Sequence, residues 1–275
     1  MVELKKIIKQ YNEACGTHTF ALATVVKVRG SSYRSPGARM LIREDGRWFG
    51  TISGGCLEGD ALRKARSVMQ SNEALLVTYD TMDDANNSLQ VSLGCNGIID
   101  VLLEPIDSNG LNPLKLLQEL ILETDLMAMA TVFRSDVHPN WVGERLWVTN
   151  ELSLHCKLTD SQLDEEVREE LKRVIQSKQQ KTQTFQYGRV EVLFELIEPA
   201  LNLLIFGGGF DARPVSKLAS FLYWDVTVLD ECIAHLSPIN FPDAHISSCE
   251  RGKFSDTIEI KPFSAAVLML SLIHI

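Results

Sequence analysis

The sequence predicts an α/β protein: a duplicated α+β domain at the N-terminus, then a Rossmann-type parallel-sheet domain cut short at its C-terminus. Three observations carry this. Apolar, β-rich runs alternate with stretches whose apolar residues recur at helical spacing. One ordered set of such elements occurs twice before residue 198. A glycine-rich turn after Phe206 is framed by strand, helix, strand and a terminal acid.

A chain of 275 residues has room for two or three domains with cores of useful size. Its hydrophobic share of 45% and charged share of 23% are those of ordinary globular proteins. A formal charge of −9 argues against a nucleic-acid or anionic-membrane surface. No apolar run is long enough to span a bilayer, and Met1 to Lys6 lacks a signal peptide's apolar core, so a cytoplasmic protein is expected. Six scattered cysteines without a CxxC pair fit a reducing compartment better than a disulfide framework or a zinc site.

In chain order, Leu4, Ile7, Ile8 and Tyr11 predict a short helix closed near Gly16. Phe20 to Val28 reads as a strand, followed by the polar loop Arg29 to Gly37. Met40–Ile42 and Trp48–Ile52 read as a hairpin turned at Glu44-Asp45-Gly46. Next comes the stretch Thr51-Ile52-Ser53-Gly54-Gly55-Cys56-Leu57-Glu58-Gly59-Asp60, which opens a helix over 57–70 through Leu57, Ala61, Leu62, Ala65, Val68 and Met69. Ala74–Tyr79 is a strand, Asp80–Ser88 a polar loop, and Ile98–Leu103 a buried strand ended by Pro105.

The same order then returns. Ala21–Val26 has a counterpart in Ala128–Phe133, and Gly37–Ile42 in Gly143–Val148. The 57–70 helix matches one near 160–177, and Gly97–Ile106 matches Gly188–Ile197. Residues 1–198 are thus predicted to form one domain of two similar halves, about 1–106 and 107–198. The second half has Asp136-Val137-His138-Pro139-Asn140 where the first has the Ser31–Gly37 loop, and it lacks an equivalent of the Gly-Gly-Cys turn and of Gly94-Cys95-Asn96-Gly97. Those features are not needed to build the unit, and this marks them as functional.

If the strands pair as predicted, these three loops converge. Ser31, Ser32 and Arg34 offer hydroxyls and a cation, Gly54 and Gly55 offer close-approach amides, and Cys56 and Cys95 offer thiols. Cys56 falls at the helix start, where unpaired amides and the helix dipole stabilise a thiolate, phosphate or oxo-anion. Amides and an arginine bind phosphate while thiolates bind soft or thiophilic metals, so the set suits a polyanionic ligand with a soft atom. Glu58 reads either as a base or as a first-turn carboxylate favoured by the dipole. Cys15, Cys156, Cys232 and Cys249 read as structural fillers.

After Pro199, Leu201–Phe206 reads as a buried strand and Gly207, Gly209 and Ala212 satisfy G-x-G-x-x-G/A. Pro214 suits a helix's first turn, and the next strand, Val226–Leu229, ends in Asp230, positioned to accept a ribose 2′-hydroxyl. Gly207, Gly209 and Asp230 are therefore candidate nucleotide contacts, with NAD(P) as the candidate ligand.

Taken together, Gly30-Ser31-Ser32 with Arg34, Pro36 to Met40, Ser53 to Glu58, Gly94-Cys95-x-Gly97 and Ile205-Phe206-Gly207-x-Gly209 resemble the XdhC/CoxI family over about 30–105 and 201–269. The resemblance implies a molybdenum-cofactor chaperone rather than a catalyst. It would hold molybdopterin and hand it to an apo molybdenum hydroxylase of the xanthine dehydrogenase type, with a cysteine desulfurase as a further partner and a homodimer as the assembly. It places Cys56 and Cys95 at molybdenum or its sulfur. Asn96, Phe210 and Cys232 depart from the family's usual glycine, histidine and arginine. The family's Ser/Thr-His pair after Ala265–Met269 is replaced by Leu270-Ser271-Leu272-Ile273-His274-Ile275. Those six residues coincide with the translation of a common transposase sequencing adapter, which assigns no role to His274. The alternative function, an NAD(P)-binding Rossmann oxidoreductase or nucleotide-binding protein, explains residues 201–231 only.

Overall fold

The computed structural model describes residues 2–81, 96–107, 112–123, 125–149, 154–155, 157–185, 189–250, 253 and 257–269. Cys95, Cys156, Gly188, the loop 82–95 and residues 270–275 lie outside this set. The chain divides into two compact units, one holding Glu3–Glu198 and the other Pro199–Ile275.

The first unit opens with α1 (Val2–Ala14), then β1 (Phe20–Gly30), β2 (Arg39–Arg43) and β3 (Trp48–Gly50). The helix α2 (Glu58–Ser71) is followed by β4 (Leu75–Asp80) and β5 (Gly97–Ile106). These strands form an antiparallel sheet in the order β3-β2-β1-β5-β4. A second run holds α3 (Pro113–Leu120), β6 (Met127–Ser135), a 3-10 turn (Pro139–Trp141), β7 (Arg145–Thr149) and β8 (Leu154–His155). It continues with α4 (Ser161–Ser177), β9 (Lys181–Phe185) and β10 (Val190–Ile197), in a sheet of order β8-β7-β6-β10-β9.

Each sheet carries its own core, because alternate residues of its strands face one long helix. Ala21, Ala23 and Val25 of β1 face Leu57, Ala61, Ala65 and Val68 beside α2. Ala128, Ala130 and Val132 of β6 face Leu163, Val167, Leu171 and Val174 of α4. The opposite faces are buried too: Ile7 and Tyr11 of α1 cover Phe20, Leu22 and Leu41, and Leu116, Leu117 and Leu120 of α3 cover Met127 and Met129. Burying a leucine-sized side chain contributes roughly 2 kcal/mol, so these faces hold the sheets in place.

The lobes meet through a paired irregularity. The β1–β5 ladder skips Val26 and the β6–β10 ladder skips Phe133, so each inner strand carries a bulge. Both bulged residues pack with Leu102 and Leu193. Reciprocal ion pairs reinforce this contact: Arg39 reaches Glu195 at 2.7 Å, and Arg145 reaches Glu104 at 2.6 Å. All four side chains are largely buried.

Three elements differ from expectation. The strand expected over Trp48–Ile52 stops at Gly50, which leaves Thr51 and Ile52 in the turn that follows. Pro105 lies inside β5, opposite Ala21, instead of ending it. It is tolerated because β4 pairs with β5 only as far as Leu103, so no strand on that flank needs a donor from residue 105. The helix α3 stands where a second helix–hairpin–helix–hairpin unit would open, but no residues are assigned to it from sequence, since a short leucine-rich run reads equally as helix or strand. Its start is set by Asn112, whose side chain accepts the amides of Leu114 and Lys115 at 3.0 and 2.9 Å.

The second unit contains β11 (Asn202–Phe206), α5 (Ala212–Phe221), β12 (Asp225–Asp230), β13 (His245–Ser248) and β14 (Ala265–Leu268). All its pairings are parallel and the order is β13-β12-β11-β14. Leu203, Ile205, Val226 and Val228 pack under Ala212 and Ala219, while Leu204, Phe206 and Leu229 face the other side.

Candidate functional site

The segment Thr51–Leu57 joins β3 to α2 without regular structure, and its backbone is organised around one side chain. Glu58, the first residue of α2, is 3% exposed and turns its carboxylate back under the segment. Its Oε1 accepts the amides of Ile52 (3.1 Å), Ser53 (3.0 Å) and Gly54 (3.3 Å) and the Thr51 hydroxyl (2.5 Å). Its Oε2 accepts the amides of Gly55 (2.9 Å) and Leu57 (3.1 Å) and the Ser53 hydroxyl (2.6 Å). Ser53 Oγ in turn accepts the amide of Cys56 at 3.1 Å and that of Leu57 at 2.9 Å. Every backbone N–H from Ile52 to Leu57 therefore points inward. Burial works to raise the Glu58 pKa, but the Ser53 and Thr51 hydroxyls and the converging amides outweigh it and hold it at about 2.

This arrangement changes the roles read from sequence. The amides of Gly54 and Gly55, expected to meet a ligand's phosphate, are closed onto Glu58. Gly54 (φ +93°) and Gly55 (φ +119°) serve the turn itself, since L side chains rarely adopt such backbone. Glu58 is positioned as an internal anion, which agrees with the first-turn carboxylate reading and leaves no open lone pair for a base. Cys56 is half-buried and packs against the core beneath α2.

The loop after β1 does approach this turn. Tyr33, itself exposed, lies 3.8 Å from where a Cβ on Gly54 would stand. Ser31 binds Asn96 on both sides: its amide donates to the Asn96 carbonyl at 3.0 Å, and its Oγ accepts the Asn96 amide at 3.2 Å. Gly97 must be glycine there, because a Cβ would fall 2.4 Å from the Ser31 carbonyl. Ser32 Oγ accepts the Arg34 amide at 3.3 Å. The loops that carry Ser31, Cys56 and the residue following Cys95 are thus joined at one end of the first sheet.

Arg34 is engaged elsewhere. Its guanidinium pairs with Glu3 of α1, whose other oxygen accepts the Thr51 amide at 3.1 Å. Glu3 thus ties α1 to both loops, a role with no signal in a lone acidic residue of a helical first turn. A cavity of about 360 Å³ opens beside this pair, lined by Glu3, Tyr33, Arg34, Arg39, Gln180 and Glu195. Among the described residues no cluster of His, Cys, Asp and Glu could hold a metal ion unaided.

In the second unit the glycine turn and the strand-end acid also meet. Asp230 Oδ2 accepts the Gly208 amide at 2.5 Å and lies 3.0 Å from His235 Nδ1, and Oδ1 accepts the Cys232 amide at 2.7 Å. Burial raises the Asp230 pKa, and the Cys232 and Gly208 amides and His235 more than reverse it, for a net lowering. Gly207 takes φ +103° at the end of β11, and Gly209 stands close to the Asp211 carboxylate.

Comparison with known proteins agrees with the first lobe's motifs. Residues 16–80 match the model of the XdhC and CoxI family. A probable xanthine dehydrogenase subunit from Bacillus subtilis (strain 168) is 28% identical over 223 residues, covering 81% of this chain and 63% of that protein. The molybdenum cofactor insertion chaperone PaoD of Escherichia coli (strain K12) is 36% identical over 87 residues, 32% of this chain and 26% of its own. The chain thus spans less than two thirds of either curated relative. A crystal structure described as a xanthine dehydrogenase from Bacillus halodurans superposes with a TM-score of 0.71 at 28% identity, covering 95% of this chain and 74% of that one. The resemblance drawn from the sequence motifs is confirmed. Among the described residues no helix is long and apolar enough to cross a membrane.

Proposed function

We propose that this chain, whose first lobe carries the XdhC and CoxI pattern, binds molybdenum cofactor and delivers it to an apo molybdenum hydroxylase of the xanthine dehydrogenase type. The carrying observation is the Thr51–Glu58 turn. A complete internal hydrogen-bond system presents one thiol, Cys56, beside the Ser31–Tyr33 loop in the lobe that matches the family. The likeness to a molybdenum cofactor insertion chaperone supports the same reading.

The residues suit one half of such a cofactor better than the other. The Cys56 thiol, with Cys95 as its proposed partner, is a soft donor for molybdenum or its sulfur. The Ser31 and Ser32 hydroxyls and Arg34 are the proposed contacts of its oxygen-rich part, and Arg34 would have to share its charge with Glu3. When bound, the cofactor supplies the metal and dithiolene sulfur that the target enzyme uses. This chain's part is to hold and shield it. A cysteine desulfurase and a homodimeric assembly complete the proposal, with the first unit a duplicated fold of halves about 1–106 and 107–198.

For the second unit, the parallel order β13-β12-β11-β14 supports a Rossmann-type domain over 199–275. The NAD(P) alternative gains nothing from it, because the Asp230 carboxylate already serves Gly208, Cys232 and His235. We assign that unit a scaffold role. The test is to incubate the protein with molybdenum cofactor and measure co-eluting molybdenum for the wild type, Cys56→Ala and Cys95→Ala. Retention by wild type alone supports the proposal, and equal retention by all three overturns it.

A further inference from the structure

We propose that Glu58 is the positioning residue of the Cys56 thiol: its carboxylate acts as a built-in anion that keeps the Gly54-Gly55-Cys56 turn in its open shape. The inference rests on Cys56 being the functional thiol, yet it concerns a residue that touches no ligand.

The geometry points to it in three steps. First, the donors on Glu58 are neutral amides and hydroxyls, converging on both oxygens from Thr51, Ile52, Ser53, Gly54, Gly55 and Leu57. Successive N–H groups curled around one anion form a nest, and a nest without its anion leaves donors aimed at one another's partial charge. Second, the glycines at φ +93° and +119° supply no side-chain contact that would keep the turn in shape by packing. Ile52 and Leu57 anchor the two ends of the turn in the core, and Thr51 Oγ1 also accepts the Gly54 amide at 3.0 Å, so the anion is what organises the Ser53–Gly55 backbone between those anchors. Third, the Cys56 amide is held by Ser53 Oγ, and Ser53 Oγ is held by Glu58, so the thiol's position is fixed through a two-step chain.

The second lobe provides the contrast. Asp164 stands at the matching place on α4 and accepts a loop amide from Leu158 at 2.7 Å, just as Glu58 accepts that of Ile52. Asp164 also pairs with Arg168, whereas Glu58 faces dipoles alone in the bonds described above. A carboxylate surrounded by N–H and O–H donors, with no guanidinium paired to it among the described residues, is a place where a small carboxylate of the right size can substitute for the side chain.

The experiment is chemical rescue on the full chain. Cys56 alkylation by iodoacetamide is followed by peptide mass mapping, with Cys15 as the internal reference, for wild type, Glu58→Ala, Glu58→Gln and Glu58→Asp. Removing the anion should free the turn and raise the Cys56 rate on the order of tenfold in Glu58→Ala, because local opening becomes easier. Sodium formate should return that rate toward wild type, while formamide, neutral and nearly the same size, should not. Glu58→Gln should behave as Glu58→Ala but without rescue, since its amide fills the space, and Glu58→Asp should fall between. The proposal is overturned if the Cys56 rate is the same in all variants, if formamide rescues as well as formate, or if every variant is globally unfolded even in formate. Cofactor retention is not read at any point. Loss of the chaperone reading would leave this result standing, and failure of the rescue would leave retention by Cys56 untouched.

Discussion

The turns Thr51–Glu58 and Lys157–Asp164 occupy equivalent places in the two lobes, and they differ in when the helix begins. Leu57, Ala61, Ala65 and Val68 line one core as Leu163, Val167, Leu171 and Val174 line the other. In the second lobe α4 starts at Ser161, one turn before Asp164, and Asp160 caps it by accepting the Leu163 amide at 2.7 Å. In the first lobe that turn of helix is missing. Gly54, Gly55 and Cys56 replace Asp160, Ser161 and Gln162, α2 starts at Glu58 itself, and no side chain caps it from Leu57. Where the second lobe has a regular, self-capped start, the first has an irregular one closed onto a buried carboxylate. A fold-building requirement does not explain that difference, because the second sheet and its helix form the same layers without it. The residue that gains from it is Cys56.

The largest expected effect tests whether the lobes are equivalent at all. Glu195→Ala would leave the Arg39 guanidinium buried and unpaired, at a cost of about 3–5 kcal/mol in denaturant unfolding. Glu104→Ala should cost a similar amount through Arg145. A cost confined to one of the two would break the residue-by-residue correspondence on which the comparison of the turns depends.

Next in size is the buried anion. With the Glu58 pKa lowered from the ordinary 4.5 to about 2, its folded-state interactions stabilise the protein on the order of 3 kcal/mol above pH 4.5. The unfolded state takes up its proton first as the pH falls, so this stability is lost progressively between about pH 4.5 and 2. Glu58→Gln should be less stable than wild type at pH 7 and should lose part of the acid-side slope in that window. An unchanged slope in urea titrations across pH 2–5 would mean that the cage around Glu58 does not form in solution. Asp160→Ala, removing the cap that only the second lobe uses, should cost about 1 kcal/mol.

Much of this architecture was legible in the sequence, for physical reasons that also set its limits. The periodicity that buries Leu57, Ala61, Ala65 and Val68 is local, and so is the alternation along β1, so both were readable from spacing alone. The strand-helix-strand frame around Gly207 and Asp230 was local as well. What could not be read was which partner a charged group takes, whether a side chain folds back on its own turn or reaches across a long separation. Arg34 looks like an anion-binding residue until Glu3 is brought to it by α1. The Gly54 and Gly55 amides look open until the Glu58 side chain folds back beneath them. Arg39 and Arg145 sit in matching Gly-x-Arg segments, yet only the packing of one sheet on the other pairs each with the other lobe's glutamate. Cys95 lies outside the described residues, so its proposed place beside Cys56 rests on Asn96, the next residue, being joined to Ser31.

The smallest expected change in stability belongs to the residue with the largest expected change in function. Cys56→Ala removes one partly packed sulfur, at a cost of about 1 kcal/mol or less. Gln162→Ala, at the matching position on the exposed side of α4, should cost no more. The decisive measurement is bound molybdenum per folded chain for these two variants beside the wild type, after loading with molybdenum cofactor and with melting temperatures taken on the same samples. All three should melt within about 4 °C of one another. Gln162→Ala should retain molybdenum as wild type does, and Cys56→Ala should lose it. Full retention by a folded Cys56→Ala protein would contradict the assignment of the Thr51–Glu58 turn as the cofactor site.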